Sequence, residues 1–516
     1  MTGTLLVAGT SSDAGKSTIA AGLCRWLARQ GISVAPFKAL NMSLNSFVTA
    51  DGAEIGRSQA AQAQAAGIEP VADMNPVLLK PGADGRTHIV LRGQPLTDVD
   101  PAGYRERSAR LFEAALASLD RLRARFDVVI CEGAGSPAEI NLRDTDIANM
   151  GLARAAGLPV IVAGDIDRGG VFAALYGTLA LLEPADQALV AGFVINKFRG
   201  SAGMLADGLT MFTGLTGRPV LGVLPWQDGL DLDAEDSLSL GSQAGWAGLA
   251  GRTQPANGET LTVAVVRLPR ISNFTDVDAL AAEPGVLVRF TTAPEDLRDA
   301  DLVILPGSRA TVADLEWLRS TGLAGAIAGR AAHDHAILSI CGGYQMLARH
   351  IDDRVESKRG RVAGLGLLPV TVEFTEAKTL ARPVLAFPPG PAPGAAPVRG
   401  YEIHHGQTTA HGQAEPFPGG CRRGSVWGTS WHGTLENDEF RRAFLTEVAA
   451  VAHRDFTPAP GTDFAAQREA RLDRLANLVA RHLDTEALTR LIQEGPPPGL
   501  PVVPPAGPGI IHNQKI

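Results

Sequence analysis

The segment Ser339–Gln345 reads SICGGYQ, directly after the apolar run Ala336–Ile340 and before a helical pattern. A nucleophile on such a sharp strand-to-helix turn is held exposed and needs small neighbours, which Gly342 and Gly343 supply. Ser339 takes the place where glycine is usual in such elbows. A helix N terminus favours a thiolate. The backbone N–H of Gly342, with one near Gly307 in LPGSRAT, can stabilise a developing oxyanion. Cys341 is therefore the candidate nucleophile, whereas Cys24, on the apolar side of a helical pattern, and Cys131, within a strand, read as core. The base expected for Cys341 is His432 in SVWGTSWHGTLEND, and His404 and His405 in GYEIHHG remain rivals.

A second chemistry lies at the other end of the chain. GTSSDAGKS at Gly9–Ser17 follows an apolar strand and opens an amphipathic helix, the setting of a phosphate-binding loop. Thr10, Ser11, Ser12, Asp13, Ala14, Gly15, Lys16, Ser17 and Thr18 are the candidate ATP contacts, with Lys16 as a point charge and Ser17 available to Mg²⁺. Five residues separate Gly9 from Gly15, one more than the usual form. A metal-bound nucleotide also needs a carboxylate. Glu132 closes the run Asp127–Cys131 at the carboxyl edge of a strand, where ligands of open α/β sheets collect. Asp51 in TADGAEIGR is the second candidate, and Asn196, just past Ala191–Ile195, is a candidate base contact.

These residues need strands to carry them. Thr4–Ala8, Asp127–Cys131, Pro159–Ala163 and Ala191–Ile195 alternate with helical stretches such as Lys16–Gln30, which predicts a parallel sheet covered on both faces. A second α/β pattern starts with Thr262–Val266 and continues through Val286–Phe290, Asp301–Leu305 and Ala336–Ile340, with antiparallel pairing expected beyond about residue 365. The expected division is a nucleotide domain at 1–228, a linker at 229–260, a cysteine-bearing domain at 261–455, a helical segment at 456–493 and a disordered Pro-rich tail at 494–516. The chain has 516 residues, 45% of them apolar, a net charge of −8 and four scattered cysteines. That charge gives no reason to expect nucleic acid as a partner, and the cysteine pattern argues against disulfides or a zinc ribbon. With no signal-like segment and no bilayer-length apolar run, a cytoplasmic location is expected.

The lengthened phosphate loop resembles that of the dethiobiotin synthetase branch of nucleotide-binding proteins. The set GTSSDAGKS, FKALNMSLNSFVTADGAEIGRSQAAQAQAA, MNPVLLKP, CEGAGSPAEINL, GDIDRGGVFA, VINKFRG, LPGSRAT, ICGGYQML, GYEIHHG and SWHGT resembles, in order, the cobyric acid synthase family. The resemblance implies a P-loop domain followed by a class I glutamine amidotransferase-like domain. It implies ATP-dependent, Mg²⁺-requiring amidation of the b, d, e and g carboxylates of adenosylcobyrinic acid a,c-diamide, with ammonia from glutamine. The related a,c-diamide synthases and, in another class, partitioning-type ATPase switches are the competing readings. Such switches usually carry an early loop lysine where this chain has Ser11, and they lack a cysteine elbow. In many amidotransferases a glutamate two places after the histidine orients the imidazole. Thr434 stands there and Glu436 lies four places on, so a Cys341–His432 dyad or a different orienting group is expected.

Overall fold

The computed structural model describes all residues except 83–86, 100, 228, 231–257, 388–395, 413 and 506–516, and gives the backbone alone for 97–99, 101–107, 387 and 396. Most of the expected linker therefore lies outside the described residues.

The first half is built on a six-stranded sheet ordered Val220–Pro225, Val190–Phe198, Val160–Asp165, Gly3–Gly9, Val128–Glu132, Val34–Phe37, with every pair parallel. Its central strands are fully buried, which is why they read as continuous Val- and Ile-rich runs. One face packs against the helix Pro101–Arg125 and its neighbours, the other against Lys16–Ala28. A small sheet (Leu40–Met42, Val77–Pro81, Thr87–Leu91, Gln94–Val99), the hairpin Ser46–Val48 with Glu54–Gly56 and the helix Arg57–Ala65 extend this half toward the second.

The second half carries a seven-stranded sheet ordered Val286–Thr291, Leu261–Val266, Leu302–Leu305, Ala336–Ile340, Val426–Thr429, Gly420–Arg423, Glu415–Phe417. The first four pairs are parallel and the last two antiparallel. Beside it, Val370–Ala381 and Glu402–Ala410 form a long antiparallel pair, in line with the closer spacing of apolar runs there. Two α/β units thus place Gly9 and Cys341 at the carboxyl ends of central strands.

The C-terminal helices return to the first half. Phe464–His482 lies along Lys16–Ala28, and Leu472, Leu475, Leu478, Val479, Leu488, Leu491 and Ile492 join the core around Leu5, Val7 and Leu23. The expectation of disorder from Glu494 is corrected over the described residues. Glu494 ends the helix Thr485–Glu494, and Val503 is buried. Gln187 Nε2 donates to the Val503 carbonyl at 2.9 Å, the Val503 N–H returns a bond to Gln187 Oε1 at 2.8 Å, and Arg218 donates to the Pro501 carbonyl at 2.9 Å. Backbone capture by two buried side chains orders a segment whose composition alone carries no such signal.

Candidate active site

Cys341 caps the strand Ala336–Ile340 with φ 50° and ψ −109°, a left-handed backbone for a residue with a side chain. Such a conformation persists only where its surroundings over-determine it. Here the strand is paired on both edges, and the Cys341 N–H donates to the Thr429 carbonyl at 2.7 Å. Gly343 is sterically required, since a Cβ there would fall 2.1 Å from the Leu305 carbonyl oxygen. Gly342 abuts Ser308, and Gly307 flanks the histidine, with a Cβ at Gly307 lying 3.2 Å from His432 Cε1. Cys341, His432, Ser308, Arg309, Glu356 and His404 line one cleft.

His432 shares the cleft with Cys341 and interacts with it electrostatically. Its backbone exchanges two hydrogen bonds with Tyr401, and its ring stacks on the Tyr401 ring with centroids 5.3 Å apart. The group that orients it is Asp276, whose Oδ2 lies 2.7 Å from His432 Nδ1 while Oδ1 accepts from the Gly433 N–H at 2.9 Å. Burial works against the imidazolium, but Asp276 and Cys341 outweigh it and raise the His432 pKa to about 10. Neither rival histidine is so placed. Both ring nitrogens of His404 lack a hydrogen-bond partner among the described residues, and His405 Nδ1 faces the Thr375 carbonyl. Glu436 is engaged elsewhere, accepting from Arg57 at 2.6 Å and Arg468 at 3.0 Å. Asp276 was missed because it lies 156 residues from His432. The available signal was its position in ISNFTDVD, shortly after the strand Leu261–Val266, where the carboxyl edge gathers functional groups.

At the other site the loop between Gly3–Gly9 and Lys16–Ala28 is held in shape from below. Asn196 Nδ2 donates to the Ala14 carbonyl at 3.0 Å. Gly15 has φ 93°, and a Cβ on it would come within 1.9 Å of Asn196 Nδ2. Asn196 thus supports the loop. Lys197 Nζ spans the Asp13 carbonyl at 2.7 Å and Asp165 Oδ2 at 2.9 Å. Lys16 Nζ donates to the carbonyls of Ser11 at 2.8 Å and Gly135 at 3.0 Å, which folds the lysine back over the loop.

Ser17 Oγ donates to Glu132 Oε1 at 2.7 Å. Glu132 is fully buried and also accepts from Lys38 at 2.9 Å and Gln62 at 2.5 Å. Burial alone would raise its carboxyl pKa, but Lys38 and these hydrogen bonds hold it below the ordinary carboxylate value. A hydroxyl and an ionised carboxylate side by side are hard oxygen donors of the kind Mg²⁺ takes together with nucleotide phosphates and water. Ser17 and Glu132 therefore fit the metal. Among the described residues no hydrogen bond links Asp51 to Ser17. Asp51 accepts from Thr49 Oγ1 in a turn whose Gly52 faces the Leu380 carbonyl of the second half. Its hairpin is drawn toward that half, as Phe47 packs on Tyr401 with ring centroids 5.0 Å apart. Lys38 and Gln62 are the neighbours of Glu132 that sequence reasoning did not single out.

Residues 5–240 match the sequence model of the CobQ/CobB/MinD/ParA nucleotide binding domain, and residues 262–440 that of the CobB/CobQ-like glutamine amidotransferase domain. The chain is 61% identical to the cobyric acid synthase of Streptomyces coelicolor, over 98% of this chain and 100% of that protein. It is 60% identical to that of Streptomyces avermitilis over the same shares, and 56% identical to that of Mycolicibacterium smegmatis over 96% of this chain and 97% of that protein. With a cysteine elbow in one half and a phosphate loop in the other, the chain belongs to the cobyric acid synthase family.

Proposed function

We propose that the protein amidates the b, d, e and g carboxylates of adenosylcobyrinic acid a,c-diamide, using ATP, Mg²⁺ and ammonia released from glutamine at Cys341. The observation that carries the glutamine half of this reading is the Cys341–His432–Asp276 arrangement at a strained strand-to-helix turn.

The chemistry follows from those groups. The Cys341 thiol gives its proton to His432 as the sulfur attacks the carboxamide carbon of glutamine, and the oxyanion is received by the backbone N–H groups of Gly342 and Gly307. His432, held by Asp276, delivers a proton to the departing nitrogen, so ammonia leaves and a thioester remains. His432 then takes a proton from water, which cleaves the thioester to glutamate and restores the thiol. At the second site a corrinoid carboxylate attacks the γ-phosphorus of ATP and ADP departs. Lys16 neutralises charge on the transferring group, and Ser17 and Glu132 would hold Mg²⁺, which supplies further charge neutralisation when bound. Ammonia then displaces phosphate from the acyl phosphate to give the amide.

The test is product analysis by mass after incubation with the a,c-diamide corrinoid, ATP and glutamine, run beside Cys341→Ser. Stepwise conversion of carboxylates to amides is expected. The variant should lose glutamine-supported amidation and keep ammonium-supported amidation. Undiminished glutamine use by Cys341→Ser would overturn the assignment.

A further inference from the structure

We propose that Asn41, Ser58, Gln59 and Gln62 line the path along which ammonia travels from Cys341 to the phosphate site, an inference that rests on the function proposed above. Each of these side chains is 0–1% exposed. Yet Asn41 Oδ1, Ser58 Oγ, Gln59 Nε2 and Gln62 Oε1 have no hydrogen-bond partner among the described residues. Native proteins seldom leave buried polar atoms bare, and a cluster of them calls for a small polar occupant.

The cluster is continuous with both sites. Ser58, Gln59 and Gln62 sit on the helix Arg57–Ala65 at spacings that share a face. Asn41 Nδ2 joins them by donating to Gln59 Oε1 at 2.7 Å. At one end Gln62 Nε2 donates to Glu132, which holds Ser17. At the other end Gly56 abuts Asn41 and Gln59 and pairs in the hairpin with Ser46. Ser46 Oγ accepts from Lys80 Nζ at 2.9 Å, and Lys80 lines the cleft that contains Cys341. The Ser46 backbone is tied to the second half as well, its carbonyl accepting from Asn273 Nδ2 at 2.8 Å.

The chemistry of the bare atoms suits ammonia, which offers three N–H donors and one lone pair. Asn41 Oδ1 and Gln62 Oε1 accept, Gln59 Nε2 donates, and the Ser58 hydroxyl does both. Near the cleft end Lys80 and Lys378 share the single carboxylate of Glu54. That excess of positive charge disfavours ammonium and lets the neutral molecule pass.

The test compares glutamate formed with amide formed in Asn41→Leu, Gln59→Leu and Gly56→Ala. A methyl on Gly56 would fall 2.4 Å from Asn41 Nδ2 and 2.5 Å from Gln59 Oε1, which plugs the strip. In each variant amide per glutamate should fall several-fold, while glutamate release and amidation in excess ammonium chloride stay near those of the unaltered protein. Ammonium-supported amidation also reports folding at the phosphate site, and three positions keep the ratio readable if one variant misfolds. An unchanged ratio in the folded variants would mean the strip holds water only and would overturn the proposal. Failure of the underlying function looks different: the unaltered protein would then form no amide from either nitrogen source.

Discussion

Asp276→Asn tests the reading of the glutamine site most directly. In the native arrangement the carboxylate accepts from His432 Nδ1 at 2.7 Å and from the Gly433 N–H at 2.9 Å, and both side chains of the pair are at most 4% exposed. An asparagine oxygen can keep the Gly433 bond, which turns its NH₂ toward His432 Nδ1. Two donors cannot face each other, so the imidazole adopts the tautomer with its proton on Nε2, toward Cys341. It can then no longer accept the thiol proton. Loss of one charge-assisted hydrogen bond costs about 1.5–3 kcal/mol, or roughly 10- to 150-fold in rate at about 1.36 kcal/mol per decade. The wrong tautomer compounds this, so glutamine-dependent turnover should fall about 10²–10⁴-fold. The assay is glutamate release, with ammonium-supported amidation as the internal control. A variant that releases glutamate as fast as the unaltered protein, or that loses both activities equally, would refute the reasoning. A thermodynamic counterpart follows from linkage. The raised His432 pKa contributes stability that is full below the ordinary imidazole value of about 6.5 and is lost as pH rises through about 10. The gap in denaturation midpoint between the two proteins should thus be widest in mild acid and shrink as the pH is raised through the alkaline range.

Glu436→Gln should leave glutamate release nearly unchanged, because Glu436 pairs with Arg57 and Arg468 and not with His432. Its cost is stability of about 1 kcal/mol, measurable by denaturant titration. Glu132→Gln removes the carboxylate beside Ser17 and should reduce ammonium-supported, ATP-dependent amidation by about 10²–10³-fold, comparable to losing a preorganised electrostatic group. Titration with Mg²⁺ would show a higher requirement in that variant. Arg441→Leu strips a fully buried partner from the equally buried Glu283, 3.2 Å away. Leaving that charge uncompensated should cost about 3–5 kcal/mol in the chemical denaturation midpoint.

Much of this architecture was legible because buried parallel strands are written as apolar runs. Ala336–Ile340 coincides with its strand, Thr4–Ala8 falls inside Gly3–Gly9, and Pro159–Ala163 starts one residue before Val160–Asp165. The phosphate loop and the cysteine elbow were legible for a related reason: each needs glycines at a strand-to-helix junction, and such junctions are local in sequence. Asp276 was not local. Its role arises only when the Phe274–Val277 turn is folded against the residues after Val426–Thr429. The polar stretch Asn41–Ser46 and Asp51–Gln59 reads as a ligand-facing surface near the phosphates or the corrinoid. In the fold, Asn45, Ser46 and Arg57 bind Phe274, Asn273 and Glu436 of the other half. Polarity alone does not distinguish a loop that meets a ligand from one that meets another domain.

The return of the C-terminal helices has a consequence for the order in which the protein is made. Leu472, Leu475, Val479 and Leu491 complete a core whose other members include Leu5, Ile19 and Leu23, so the phosphate-loop strand and helix wait for residues that are made only after the whole second half. Until then the apolar flank of the phosphate-loop helix stays open, and the nascent nucleotide domain cannot close on its own. The amidotransferase half, made in between, has its own cores and can close while its neighbour is unfinished, so the cysteine site can form before the phosphate site.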